Sequence, residues 1–202
     1  MQLIQTVAPI KQPISLDEAK LFSKIVEDDE DELILSFIKS ATSYAEGYTN
    51  RQFEIATFEL INECIWCDFR LPKSPTIEIL KIEYMDNNGD YQILDTDKYY
   101  LYENYEISYI HFHHIPTHKK DKRAFKITFR SGYDVVPDVF KIYIKIATST
   151  LYENRELYLT DFNSRKDLVL VPLAQSMLSL YRIQPIWEQE DLGIKVLSKI
   201  LE

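Results

Sequence analysis

Hydrophobic positions along this chain change period twice. Between residues 33 and 48, Leu33, Ile34, Phe37, Ile38, Ala41, Tyr44, Ala45 and Tyr48 recur at helical spacing. From about 53 to 130 the period falls to two. FEIATFELINECIW alternates, Ile77, Ile79 and Ile82 follow the two prolines of LPKSP, and AFKITFR sets Phe125, Ile127 and Phe129 inward against Lys126, Thr128 and Arg130 outward. After Pro137 the helical period returns, with Phe140, Tyr143, Ile144, Ala147 and Leu151 on one stripe and Ile142, Ile146 and Ser149 on a second. A surface helix normally carries one stripe, so this one is expected to be central or to meet another subunit.

Turn and cap chemistry sets the boundaries. Ser15 and Glu18 stand three residues apart, as in a capping box, and predict a short helix over PISLDEAKLFSKI with Leu16, Ala19, Phe22 and Ile25 on one face. The acidic run 27–32 precedes the long periodic segment, where carboxylates complement the positive end of a helix. Read as a hard-cation site the run lacks the glycine and ligand spacing of an EF-hand. Asn50 suits a left-handed helix end. Asn88-Gly89 predicts a hairpin, and THKKDKR a polar hairpin tip. Pro137 fits a first helical position, with Asp138 at the same end. TDFNSRKDLVLVP reads as a loop, PLAQSMLSLYRI (172–183) as a short helix broken at Pro185, and the chain closes on an amphipathic stretch carrying Leu192, Val196 and Ile200.

The expected fold class is therefore α+β: two N-terminal helices plus a long helix near 137–156, with a mostly antiparallel β-meander at about 53–130 between them. At 202 residues this makes one domain over 1–202, with helices 15–50, the β region 53–130, helices 137–183 and a tail 184–202.

Charge narrows the function. The net charge is −9. Residues 1–50 hold nine acids against four lysines, while 118–130 hold six basic residues against one acid. Such a chain is a poor general ligand for nucleic acid or anionic membranes, although a local basic loop can still meet an acidic partner. No apolar run approaches a membrane span, and the start of the chain does not read as a signal peptide.

Catalytic chemistry is sparse. The four glycines, at 47, 89, 132 and 193, leave no phosphate cradle, and there is no nucleophile elbow or HExxH. Cys64 and Cys67 of CIWC have strand-like flanks. They read as two reduced, half-buried thiols on opposite faces, not as a redox or zinc pair. All four histidines lie in HFHHIPTH, 111–118. On a strand from Ile107 to Ile115, His111 and His113 share a face about 6–7 Å apart. His114 faces the other way and His118 sits beyond Pro116. Two same-face imidazoles need a third ligand from a neighbouring strand to hold a metal. A metal-dependent enzyme using His111 and His113 is thus one alternative. A DNA-packaging accessory binding through the 119–123 basic turn is another.

Several stretches taken in order resemble the head-tail connector (adaptor) proteins of tailed bacteriophages and prophages. They are PISLDEAK, the acidic patch and helix ending in Ala45-Glu46-Gly47-Tyr48-Thr49-Asn50-Arg51, LPKSPTIEILKIEYMDNNGD, FRSGYDVVPDVFKIYIKIATSTLYENRE and PLAQSMLSLYRI. The resemblance spans about 13–183 and implies a small helical bundle into which the β-meander is inserted. It implies a structural virion protein without enzymatic activity or cofactor, assembled in the host cytoplasm and residing at the head–tail junction. It further implies a homo-oligomeric ring, expected to be twelvefold, that seats on the portal protein and receives the next neck or tail-completion protein, with DNA passing through unread. The histidine region is richer in aromatics and charge than the family pattern, and 184–202 extend beyond it. The candidate subunit or partner interface comprises Lys119, Lys120, Lys122 and Arg123 of the basic turn with Ile142, Ile146, Tyr152 and Arg155 of the helix. The acidic first helices are the expected counterpart of that turn.

Overall fold

A computed structural model describes residues 1–154 and 172–184. Arg155, the loop expected over 160–172 up to residue 171, and the tail beyond 184 lie outside the described residues. The chain divides into two compact units, each assembled from separated stretches. A helical unit takes 11–49, 135–154 and 172–182, and a β unit takes 1–10, 50–134 and 183–184.

In the helical unit α1 (Leu16–Ser23) begins as the sequence predicts. The Glu18 N–H donates to Ser15 Oγ at 3.1 Å and the Ser15 N–H donates to the Glu18 carboxylate at 2.9 Å, closing a reciprocal capping box. The buried face differs from the expected one: Ala19 and Lys20 are buried, whereas Phe22 is exposed. A helix of eight residues covers little area, and Lys20 takes the inner position because its ammonium has partners there. It donates to Asp28 at 2.5 Å and to Asp31 at 2.7 Å. Those bonds, Asp28 first, hold the ammonium above the ordinary lysine range. The acidic run thus does two jobs. Asp31 and Glu32 stand in the first turn of α2 (Asp31–Thr49), as the helix dipole favours, while Asp28 and Asp31 neutralise Lys20.

Helix α2 buries Ile34, Ile38, Ala41, Thr42, Ala45 and Thr49, one stripe along its length, and ends where Asn50 turns left-handed at φ 55°. Helix α3 (Asp138–Glu153) starts one residue later than expected, with Pro137 as its N-cap instead of its first helical residue. It touches α1, α2 and α4 (Pro172–Ser179), so it is central to this unit. Phe140, Tyr143, Ile144 and Ala147 are buried there, and burial pushes the Tyr143 hydroxyl up to about 12.

The β unit contains two antiparallel sheets. The larger runs in the order β1 (Gln2–Val7), β2 (Ala56–Asn62), β8 (Phe125–Ser131), β4 (Thr76–Met85), β5 (Tyr91–Ile93), and the smaller in the order β3 (Asp68–Arg70), β7 (Ile107–Phe112), β6 (Tyr99–Asn104). β4–β5 and β6–β7 are local hairpins, but the larger sheet is built on β8, which pairs with both β2 and β4. Pairing is therefore less local than in a simple meander. Strand β8 alternates buried and half-buried as predicted. One apolar cluster draws on both sheets, with Phe58, Leu60, Ile82, Ile127 and Phe129 from one and Phe69, Ile110 and Phe112 from the other.

The capping box carries a modest prediction. The Ser15 backbone N–H, then burial in the opposite sense, then Lys145 set the Glu18 carboxyl, and the net effect places it below the ordinary glutamate range. A carboxyl lowered in the folded state contributes stability above its unfolded pKa and loses it as pH falls through the folded value. Ser15→Ala should cost about 1 kcal/mol at pH 7. Glu18→Gln should flatten the loss of stability expected as pH falls through and below the ordinary glutamate range; denaturant titrations across that range measure both.

Candidate subunit and partner interface

The histidine run divides as strand alternation dictates, with one difference. Strand β7 stops at Phe112, so His113 lies just past it, with its N–H bonded to the Lys98 carbonyl. His111 and His113 still come together, ring centroids 5.5 Å apart. Tyr100 packs against both, at 5.0 and 5.4 Å, and Tyr102 links Tyr100 to Tyr109. The partner of His111 is Asp68, directly opposite it on β3, with Nδ1 to Oδ1 at 2.8 Å. Contacts from His111 and then the Tyr102 hydroxyl hold the Asp68 carboxyl below the ordinary aspartate range. His114 is exposed and His118 stacks edge-on against Phe125 at 4.6 Å. Among the described residues no group of three or more His, Cys, Asp or Glu is placed to hold a metal ion. The run is an aromatic ladder on the outer face of the small sheet.

Cys64 and Cys67 depart from expectation. They lie in the loop between β2 and β3, not on a strand, and both are exposed instead of half-buried. Asn62 Nδ2 donates to the Cys64 carbonyl and the Phe112 N–H to that of Cys67. These bonds pin the loop by its backbone and leave the thiols outside.

The basic turn is also not a hairpin tip. Residues 113–124 cross from β7 of the small sheet to β8 of the large one. The crossing is fastened at Lys119, whose N–H bonds Met85 O, and at Asp121, which accepts the Arg123 N–H. Lys119, Lys120, Lys122 and Arg123 all project into solvent, and none forms an ion pair with a described residue. On α3 of the helical unit, Ile142 is 44% exposed, while Ile146 and Tyr152 are half-buried. The second stripe is thus only partly covered within the described chain. Arg155 lies outside the described residues.

Two features of the site have no counterpart in the sequence reading. The first is the turn joining β6 to β7. Asn104 pairs with Ile107, leaving the two-residue loop Tyr105-Glu106 with φ of 50° and 61°. Positive φ at both positions is the geometry of a primed hairpin turn, which Asn-Gly serves at little cost. A non-glycine residue there costs ~1–2 kcal/mol, so the usual sequence signal is missing. The second feature is Arg51, with a side chain only 5% exposed. Its guanidinium donates to the Tyr133 hydroxyl at 2.9 Å and meets the Glu106 carboxylate at 2.9 Å. Its backbone bridges to Ser74 and accepts from Lys73 Nζ. Arg51 therefore ties the segment leaving α2 to the β6–β7 tip and to the residue two past β8, bracing the strained turn through Glu106.

Residues 13–87 match the family model described as Phage gp6-like head-tail connector protein. That stretch runs from the capping box through Arg51 and the Leu-Pro-x-x-Pro segment into the β4–β5 turn. No curated protein matches the chain. Among solved structures, a chain from the neck of an empty gene transfer agent particle, computed with C6 symmetry, matches at a TM-score of 0.73 and 16% identity, covering 92% of this chain and 97% of that one. A chain from the virion of a native gene transfer agent particle gives the same values. A third, from the neck of the native particle computed with C12 symmetry, matches at 0.68 with the same identity and coverage. At this identity the likeness is one of fold, and it extends over nearly the whole of each chain.

Proposed function

We propose, from a chain whose residues 13–87 carry the head-tail connector signature, that this protein is a structural connector of a tailed phage or phage-like particle. It acts by assembly, not catalysis: copies form a ring below the portal, DNA passes through the centre, and the next neck component seats on the far side. The observation that carries this reading is that the family match falls on the segment organised around Arg51, within a fold shared end to end with neck chains of a gene transfer agent particle. Neck chains solved under sixfold and twelvefold symmetry support a ring, and we take twelve copies as its size.

A ring subunit needs two lateral surfaces. The exposed cations of the 113–124 crossing supply charge for one, and the partly covered second stripe of α3 supplies apolar area. Because the four cations are exposed and unpaired among described residues, reversing Lys119, Lys120, Lys122 and Arg123 to glutamate should leave the fold intact while weakening self-association about tenfold or more. Sedimentation or mass photometry reads this, and oligomers of unchanged strength would remove the basic loop from the interface. The function itself is tested by the mass of the full-length protein alone and with the portal of the same particle. A monomer that becomes ring-sized on the portal supports it. No binding to portal in any state would sink it.

A further inference from the structure

The chain turns its two local hairpins differently. At β4–β5 it uses the five residues 86–90, with Gly89 alone among them at positive φ, 98°. At β6–β7 it uses Tyr105-Glu106, two residues poorly suited to positive φ. Glu106 has a reason to be there, since it meets Arg51. Tyr105 has none within the described chain. It is 91% exposed, the most exposed aromatic among the described residues, and makes no hydrogen bond or ring contact with any of them. Tyrosine is enriched among the residues that anchor protein contacts, and backbone strain clusters at functional positions.

The charge around that tip and the position of the basic loop specify a partner. The tip carries Glu103 and Glu106, both close enough to act on the Tyr133 hydroxyl. The cations 119–123 lie at the other end of the same strands. β7 leaves the tip at Ile107 and enters the 113–124 crossing after Phe112, and β8 leaves that crossing at Phe125 and ends beside Tyr133. Six or seven residues at ~3.3 Å each put the two features roughly 20 Å apart. They cannot satisfy each other within one copy, whereas the tip of one copy can meet the loop of the next. The loop end also offers apolar surface, because Tyr91 donates to the Arg123 carbonyl and Ile93 on the same strand is 69% exposed. The acidic run 27–32 is the weaker counterpart, since half of its six carboxylates are engaged, Asp28 and Asp31 by Lys20 and Glu30 by a partner of its own.

We infer that the β6–β7 tip, with Tyr105 as anchor and Glu103 beside it, docks on the 119–123 loop of a second copy of this chain, head to tail. This deepens the connector reading and rests on it. Made head to tail, the contact is heterologous: it leaves a tip and a loop open at the two ends of each pair, and it closes into a ring where the rotation per step allows. Its charged part weakens with added salt and its aromatic part does not.

The test uses the full-length protein, alone and on its portal, with p-benzoyl-phenylalanine replacing Tyr105. Irradiation should give crosslinked dimers whose crosslinks map to 113–124. Tyr105→Ala should weaken self-association at least tenfold without lowering the unfolding midpoint. Tyr105→Asn should raise that midpoint, by relieving the turn, and still assemble poorly. Glu103→Lys should weaken assembly, and combining it with Lys119→Glu and Lys120→Glu should restore part of the loss. Wild-type rings with crosslinks mapping elsewhere, or Tyr105→Ala rings as tight as wild type, overturn this contact and leave the connector reading standing. A wild-type protein that assembles neither alone nor on the portal overturns both.

Discussion

Gly132→Ala is expected to destabilise the fold by roughly 3–5 kcal/mol, combining a strained backbone with an overfilled site. Gly132 follows β8 at φ 145°, a region side chains avoid. A Cβ there would stand 2.7 Å from both Ile55 Cα and Ile55 N and 2.8 Å from Glu54 C. These are backbone atoms of the segment entering β2, and they cannot rotate away as a side chain could. That segment and β8 are hydrogen-bonded neighbours, and the Gly132 N–H also bonds Pro75 O. Relief would have to break the sheet where three stretches converge. Domains of this size have ~5–15 kcal/mol in total, so the variant should melt at far lower denaturant or fail to accumulate as folded protein. Gly47→Ala is the control. It lies within α2 with nothing within 4 Å of its added Cβ, and should stabilise by about 0.5–1 kcal/mol. Equal effects at the two positions would refute this account.

Arg51→Ala is expected to cost about 3 kcal/mol, since hydrogen bonds to a charged group contribute ~1.5–3 kcal/mol and a buried stem is lost as well. Arg51→Lys should not restore it. A single ammonium cannot reproduce the planar fork that serves Tyr133 and Glu106 together. Tyr133 provides a readout that separates loss of this clamp from general loosening. Burial pushes its hydroxyl up while Arg51 pulls it back down. Removing Arg51 should therefore move Tyr133 titration to still higher pH in protein that remains folded, as followed by tyrosinate absorbance. A shift to lower pH would mean that the variant exposes Tyr133, and that the effect is unfolding instead.

Much of this architecture was legible because local chemistry and tertiary packing agree. Ser15 and Glu18 close a capping box by chain geometry alone, and the alternation of β8 survives because one of its faces lines the core. Other features have no local cause. Strand β1 carries no strong alternation and is mostly exposed, and exists only because β2 offers an edge to pair with. The Tyr105-Glu106 turn contradicts turn chemistry, and the residue bracing it lies more than fifty positions away at Arg51. The basic segment reads as a hairpin tip because a polar stretch between two strands normally is one. Only the pairing of β7 with β3 and β6, and of β8 with β2 and β4, turns it into a crossing between sheets. The candidate site was therefore visible as residues but not as an arrangement. Lys119, Lys120, Lys122 and Arg123 can be picked out by charge, whereas the tip opposite them carries no signal until φ angles are known.

The placement of β1 also has a consequence during synthesis. Ile4 pairs with Glu59, and β2 in turn pairs with β8 through contacts such as Phe58 with Phe129. At ~5–20 residues per second a ribosome needs about 3–11 s after Ile4 to produce Glu59, and longer still to reach β8. Throughout that interval QLIQTV, with no charge and no proline to discourage strand pairing, is a nascent segment awaiting its partner. During that time its unpaired edge can pair with the same segment of another nascent copy, a reaction that competes with its native pairing to β2.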